Sequence, residues 1–338
     1  MHMADALITP IVGGAMWAAS TGVGGYSIKK IKTELADKKI PLMGVMGAFV
    51  FASQMINFTI PGTGSSGHIG GGMLLAILLG PYAGFLTMAS ILIIQALFFA
   101  DGGLLALGCN VFNMGFFTCF ITYPFIFKKI IQKGFTKKRL FIASILSVVI
   151  GLQLGALSVV LETVLSGKTE LPFNTFVLLM QPIHLAIGIV EGLITAAVVT
   201  FVWNVRPEIL EDAETKRIIS KRSIGRVLIG LVIATVFIGG LFSWFASSNP
   251  DGLEWAMLQT AGTAELETDS IIHQGAATIQ EKLAFLPDYA FKNGESDAAI
   301  KAGTSISGII GGFLTLTLAV GIGIISSKFR KKKAKLKG

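Results

Sequence analysis

Residues 71–99 read GGMLLAILLGPYAGFLTMASILIIQALFF, and the fold turns on whether they form one membrane helix or two. A single helix would carry Gly80-Pro81 in its interior, where proline removes a backbone donor and disfavours helical backbone at the residue before it. The distribution of basic residues decides the matter. Of the 28 Lys and Arg, 24 fall in four segments: five in 29–39, six in 128–139, six from Arg206 to Arg226 and seven from Lys328 onward. By the positive-inside rule all four face the cytoplasm. An even number of crossings must then separate 29–39 from 128–139, and the apolar stretches supply that number only if the chain breaks at Gly80-Pro81. The sequence therefore predicts a short helix, 71–80, turning into a second one, 82–99. A re-entrant piece paired with another partial crossing keeps the same parity; the short helix is the preferred reading.

The rest of the chain agrees with a membrane setting. Of the 338 residues 52% are hydrophobic and 14% charged, and the mean hydropathy is +0.71, outside the habits of soluble domains. Apolar stretches near 9–28, 41–57, 71–80, 82–99, 106–127, 140–165, 175–203, 226–246 and 305–327 are candidate spans, each to be compared with the about 20 residues that cross a bilayer as helix. The expected fold is an all-α, polytopic protein of the cell membrane with about nine transmembrane helices, its N-terminus outside and its C-terminus cytoplasmic. MHMADALITP lacks the basic region that precedes a signal peptide's apolar run, so the first methionine is expected to persist. The two cysteines, Cys109 and Cys119, share one apolar stretch and offer neither a disulfide framework nor a CxxC site.

IPGTGSSGHIGGG, residues 60–72, contains G-x-G-x-x-G at Gly62, Gly64 and Gly67. A phosphate cradle needs that spacing within a strand–turn–helix unit; here the flanks are membrane helices and the loop faces outward. SGKT at 166–169 is not a P-loop either, because Glu162 stands where the first glycine is required. Glycines in such a loop let the backbone turn sharply and approach another segment. The predicted topology puts Met1 and residues 58–70 on one face, so the segment approached is the N-terminus. A free α-amine, the amide nitrogen of residue 2 and an imidazole nitrogen of His2 can wrap one ion in two fused chelate rings. His68 is the natural fourth donor. An all-nitrogen square-planar field suits Ni(II) and Cu(II) and also holds Co(II). Solvated histidines are the plain alternative for both positions.

MHMADALITPIVGGAMWAAS, NFTIPGTGSSGHIGGGMLLAILLGP and QALFFADGGLLALGCNVFNMG resemble the CbiM/NikM family, the substrate-binding membrane components of energy-coupling factor (ECF) transporters for cobalt and nickel. The resemblance covers about residues 1–205, with seven spans. It implies a near-square-planar nitrogen site at Met1, His2 and His68, with Ni2+ or Co2+ as transported substrate. NPDGLEW at 249–255 resembles the signature of the PDGLE-type, NikN-like auxiliary component, so the resemblance implies a fusion: residues 1–205, a cytoplasmic linker 206–226, and a two-helix domain 227–338 with an outer loop 247–304. It further implies uptake driven by ATP bound elsewhere, through a coupling membrane protein of the CbiQ/NikQ type and ATPase subunits of the CbiO/NikO type. The chain itself would be no enzyme, bind no ATP and contact membrane lipid but no nucleic acid.

Several polar residues carry competing readings. Glu191 and His184, seven residues apart on one helical face, are either a pair for a self-sufficient proton-coupled transporter or a buried hydrogen-bonded pair or partner contact. Asn110, Asn113, Gln153 and Gln181 are expected to be interhelical glue. His273 is expected to be solvated, Trp255 to be an interfacial anchor, and NPDG a turn. A membrane metalloprotease is disfavoured because HExxH is missing and four nitrogens leave no position for a catalytic water.

Overall fold

The computed structural model describes residues 2–34, 39–210, 225–268, 270–292 and 296–335. The chain is an all-α, multi-pass membrane protein. Its helices are α1 (Pro10–Glu34), α2 (Ile40–Gln54), α3 (Gly72–Leu79), α4 (Pro81–Phe99), α5 (Leu107–Ile131), α6 (Lys137–Leu165), α7 (Phe173–Val205), α8 (Gly225–Gly240), α9 (Gly252–Ala261), α10 (Ile271–Leu283) and α11 (Asp297–Lys335). Five of them, α4 to α7 and α11, are long and apolar enough to cross a membrane. Along α7, Leu178, Leu185, Ile189 and Leu193 lie exposed on one stripe, while Met180, Ile183, Ile187 and Gly188 are buried on the other. An apolar outward stripe is what lipid requires, and the pattern is the reverse of a helix in water.

The chain does break at Gly80-Pro81. Gly80 has φ +88°, α3 ends at Leu79 and Pro81 opens α4. Yet α3 has only eight residues, about 12 Å of helix against a hydrocarbon core of about 30 Å. The remainder of that path is the glycine-rich loop, which sinks into the bundle until Gly72 lies against Met114 and Thr118 of α5. Non-helical backbone at such depth is tolerated because protein, not lipid, surrounds it.

Small residues bring helices together. A methyl on Gly188 or Gly192 would sit 3.2 Å from Cα of Val149 and 2.9 Å from Cα of Ile145, so α6 and α7 pack backbone to backbone, as close glycine contacts allow. Gln153 and Gln181 tie the same pair, each donating to the other's backbone carbonyl at 2.9 and 3.2 Å. On α1, Ser20 donates to the carbonyl of Gly108 at 2.6 Å, and Gly108 leaves no room between itself and Trp17.

The last third docks on α2. Gly311 of α11 faces the Phe51 ring, Gly44 of α2 faces Leu316 and Val320, and Gly239 of α8 lies against Ala52 and Gly308. Beyond α8, Ser247 donates to the carbonyl of Asn57 just past α2, and Gln280 and Leu286 donate to the carbonyls of Ala96 and Phe98 near the end of α4. The expected loop 247–304 is therefore largely structured: it contains α9 and α10, and α11 begins inside it at Asp297. Asp251 caps α9 in a reciprocal capping box with Glu254, which stabilises a helix start that the turn reading of NPDG missed. Most of the expected linker, 211–224, lies outside the described residues.

Candidate metal centre

The glycines of the opening loop each have a structural task. Gly62 and Gly64, at φ +77° and +74°, make the turn of a small antiparallel hairpin pairing Phe58–Ile60 with Ser65–Gly67. Gly67 packs against Ile187, where a side chain would collide. Gly71, at φ +80°, starts α3 and abuts Val50. Gly71→Ala combines a left-handed alanine with a clash and should cost about 1–3 kcal/mol, read as a lowered Tm of the detergent-purified protein; an unchanged Tm would contradict this account.

Between these glycines, His68 is held from three sides. Glu191 of α7 accepts from the backbone N–H of Gly70 at 2.9 Å and of Gly71 at 2.8 Å, one bond per carboxylate oxygen. Gln54 donates to the carbonyl of Gly70 at 2.9 Å and is itself fixed by Gln95 at 2.7 Å. From the tail, the carbonyls of Pro250 and Asn249 accept from the Ser66 N–H and hydroxyl, both at 2.8 Å. Trp255 donates to the carbonyl of Thr63 at 2.9 Å, so it holds this loop.

The N-terminal segment is equally fixed. Met3 is fully buried; its N–H donates to Asn110 at 2.8 Å, and its carbonyl accepts from the Asn110 amide at 3.2 Å and the Gly103 N–H at 2.9 Å. Asn110 thus clamps the N-terminal segment rather than a neighbouring helix. Asp5 accepts from the N–H of Ala106 at 2.9 Å. His273, expected to be solvated, is 5% exposed and donates through Nε2 to the carbonyl of Ile8 at 2.9 Å, because α10 lies over the N-terminal loop.

These constraints bring the two histidines together. The rings of His2 and His68 lie 5.3 Å apart and within 10° of parallel. Nδ1 of His2 stands 3.3 Å from Oδ1 of Asp101, and Nε2 of His68 stands 3.9 Å from Oδ2 of Asp251. Tyr289 donates its phenol to Asp101. Burial lowers the imidazoles to about 3 for His2 and about 4 for His68, so both are neutral near pH 7 and keep a lone pair for a cation. Burial raises the Asp101 carboxyl, although the Tyr289 bond opposes this. Met1 lies outside the described residues. Among the described residues, no group of three His, Cys, Asp or Glu side chains could hold an ion; an all-nitrogen site here needs backbone donors.

His184 and Glu191 share a helix face but not a bond. Glu191 spends both oxygens on the glycine loop, while Nδ1 of His184 contacts the carbonyl of Met180 at 2.8 Å. Of the residues around the histidines, sequence reading missed Asp101, Asp251, Tyr289 and the clamp role of Asn110. Asp251 stands within NPDGLEW and Asp101 within FADGG, both quoted motifs; Tyr289 carries no such signal.

Comparison with known proteins places these features. Residues 2–209 match the family described as CbiM, cobalt uptake substrate-specific transmembrane region, and residues 225–328 match the PDGLE domain. A protein of Archaeoglobus fulgidus named as a fused nickel transport protein, NikMN, is 33% identical over 94% of this chain and 96% of its own length. The cobalt transport protein CbiM of Sorangium cellulosum is 30% identical over 64% of this chain and 98% of its own. A crystal structure of a transition metal transporter superposes with a TM-score of 0.55 at 31% identity, covering 64% of this chain and all of that one.

Proposed function

We propose, because the chain belongs to the CbiM family of cobalt-uptake substrate-specific transmembrane regions, that it captures Ni2+ or Co2+ from outside the cell and passes it inward as the substrate-specific subunit of an ECF-type transporter. The observation that carries the reading is the meeting of His2 and His68 at 5.3 Å, two buried neutral imidazoles supplied by loops that every nearby hydrogen bond immobilises.

In this reading Met1 contributes its α-amine, His2 its amide nitrogen and imidazole, and His68 the fourth nitrogen. Two fused chelate rings use Nδ1 of His2, so loading exchanges the Asp101 contact for the ion. Asp101 and Asp251 then stand beside a doubly charged centre, as outer carboxylates commonly do for ligating histidines. Nickel and cobalt both suit nitrogen donors, and the fused relative named for nickel inclines the choice to Ni2+. The energy for release comes from partners: a coupling membrane protein of the CbiQ/NikQ type and ATPases of the CbiO/NikO type, since the chain's glycine motifs are spent on a hairpin and a helix start. The division into a capture domain, 1–205, and an auxiliary domain, 227–338, belongs to the same proposal.

The test is a titration of detergent-purified protein with its native N-terminus. It should take up one equivalent of Ni2+ or Co2+, and a single residue placed ahead of Met1 should abolish this. Equal binding by both forms would refute the ligand set. In liposomes the chain alone should not accumulate the ion; addition of the coupling protein, ATPases and ATP should start uptake.

A further inference from the structure

Between the N-terminal loop and the tail lies a cavity of about 410 Å³, open outward, with His2 in its lining. Among the described residues five carboxylates line it: Asp5, Asp101, Glu254, Glu265 and Asp288. Among the described residues no lysine or arginine does. Three of the five have work inside the fold, since Asp101 accepts from Tyr289, Asp5 from the Ala106 N–H and Glu254 from the Asp251 N–H. Glu265 and Asp288, both from the tail, make no side-chain hydrogen bond or ion pair among the described residues. Burial first, then the like charges of Asp101 and Glu265, raises the Asp288 carboxyl. Unpaired carboxylates that repel one another are stabilised by any cation that enters between them.

One buried nitrogen points to a ligand independently of the acids. His273, which lines the cavity, donates through Nε2 to the Ile8 carbonyl, and its Nδ1 is buried with no hydrogen-bond partner. The size fits as well. A divalent ion with six waters occupies about 200 Å³, at about 30 Å³ per water, roughly half the cavity.

We infer that this cavity is an entry vestibule in which a divalent cation rests with its water shell intact before surrendering that water to the nitrogens at His2 and His68. The tail builds its roof and supplies Glu254, Glu265 and Asp288. The auxiliary segment thus does more than fasten the ligand loops: it concentrates hydrated cations at the site. The inference rests on the reading of His2 and His68 as ligands, but the vestibule binds a shell of oxygen-coordinated water and can be probed without them.

The probe is hexaamminecobalt(III), whose ammonia ligands do not exchange, so that it fits a site for a hydrated ion and cannot enter a nitrogen chelate. Stopped-flow tryptophan emission follows Ni2+ association with the full-length, native-ended protein at about 0.01 M salt, where charges are least screened. Glu265→Gln with Asp288→Asn should slow association about 3–10-fold, within the range that steering by a charged cleft provides, and leave dissociation unchanged. Asparagine tolerates the left-handed backbone at position 288 (φ 49°), so the variant keeps the fold. The difference should vanish at about 1 M salt. Hexaamminecobalt(III) should slow Ni2+ association in the wild type and be retained in equilibrium dialysis by His68→Ala, but not by the double variant. Unaltered association in the double variant, or no retention by wild type and His68→Ala alike, overturns the vestibule. Retention of hexaamminecobalt(III) by a wild type that takes up no Ni2+ leaves the vestibule standing and removes the nitrogen-site reading instead.

Discussion

His68→Ala should weaken Ni2+ binding by about 10²–10³-fold while leaving the protein folded. The magnitude follows from the total: metal sites with four protein ligands gain about 10–16 kcal/mol, so one donor carries about 3–4 kcal/mol, and each 1.4 kcal/mol is tenfold. Folding should survive because the loop is held by other groups. Glu191 and Gln54 grip Gly70 and Gly71, and Ser66 and Thr63 are bonded to the tail, none of them through the imidazole. Isothermal titration with Ni2+, alongside a Tm, separates the two effects. Wild-type affinity in His68→Ala would move the ion elsewhere.

Glu191→Ala should be almost as damaging, by a different route. The carboxylate takes two backbone N–H bonds that no other group near them replaces, and bonds to charged groups contribute about 1.5–3 kcal/mol each. Losing both leaves two donors unsatisfied inside the bundle and frees the loop that carries His68, so Ni2+ affinity should fall on the order of 10²-fold, with a lower Tm. Glu191→Gln retains one acceptor and sets its NH2 against the other N–H; it should lie between. The same variant discriminates the proton-coupled alternative. If Glu191 carried protons, Glu191→Gln would bind Ni2+ normally and fail only in transport; as a loop anchor, it loses binding first.

The helices were legible in the sequence because lipid imposes a blunt rule: long apolar stretches broken by clusters of Lys and Arg. Even the break at Gly80-Pro81 followed from charge parity. What escaped was the depth of the glycine loop that leads into α3, since hydropathy scores side chains and is silent about backbone buried among other helices. The meeting of His2 and His68 was legible from the predicted topology, which puts the N-terminus and residues 58–70 on one face. Asp101, Asp251 and Tyr289 were not, because each acts through a contact between segments far apart in the chain. His273 misled for the same reason: a histidine in a polar stretch reads as wet until α10 is laid across the N-terminal loop.

The seating of Gly311 on Phe51 and of Gly239 on Ala52 has a consequence for assembly. Tethering turns an encounter between two molecules into a local search at millimolar effective concentration. A PDGLE segment travelling on its own polypeptide would have to find its partner in the bilayer and could be titrated away; here every CbiM segment carries its own, in fixed one-to-one ratio. The close contacts of Gly239 and Gly311 with α2 therefore need only seat a segment that the chain already holds at high local concentration.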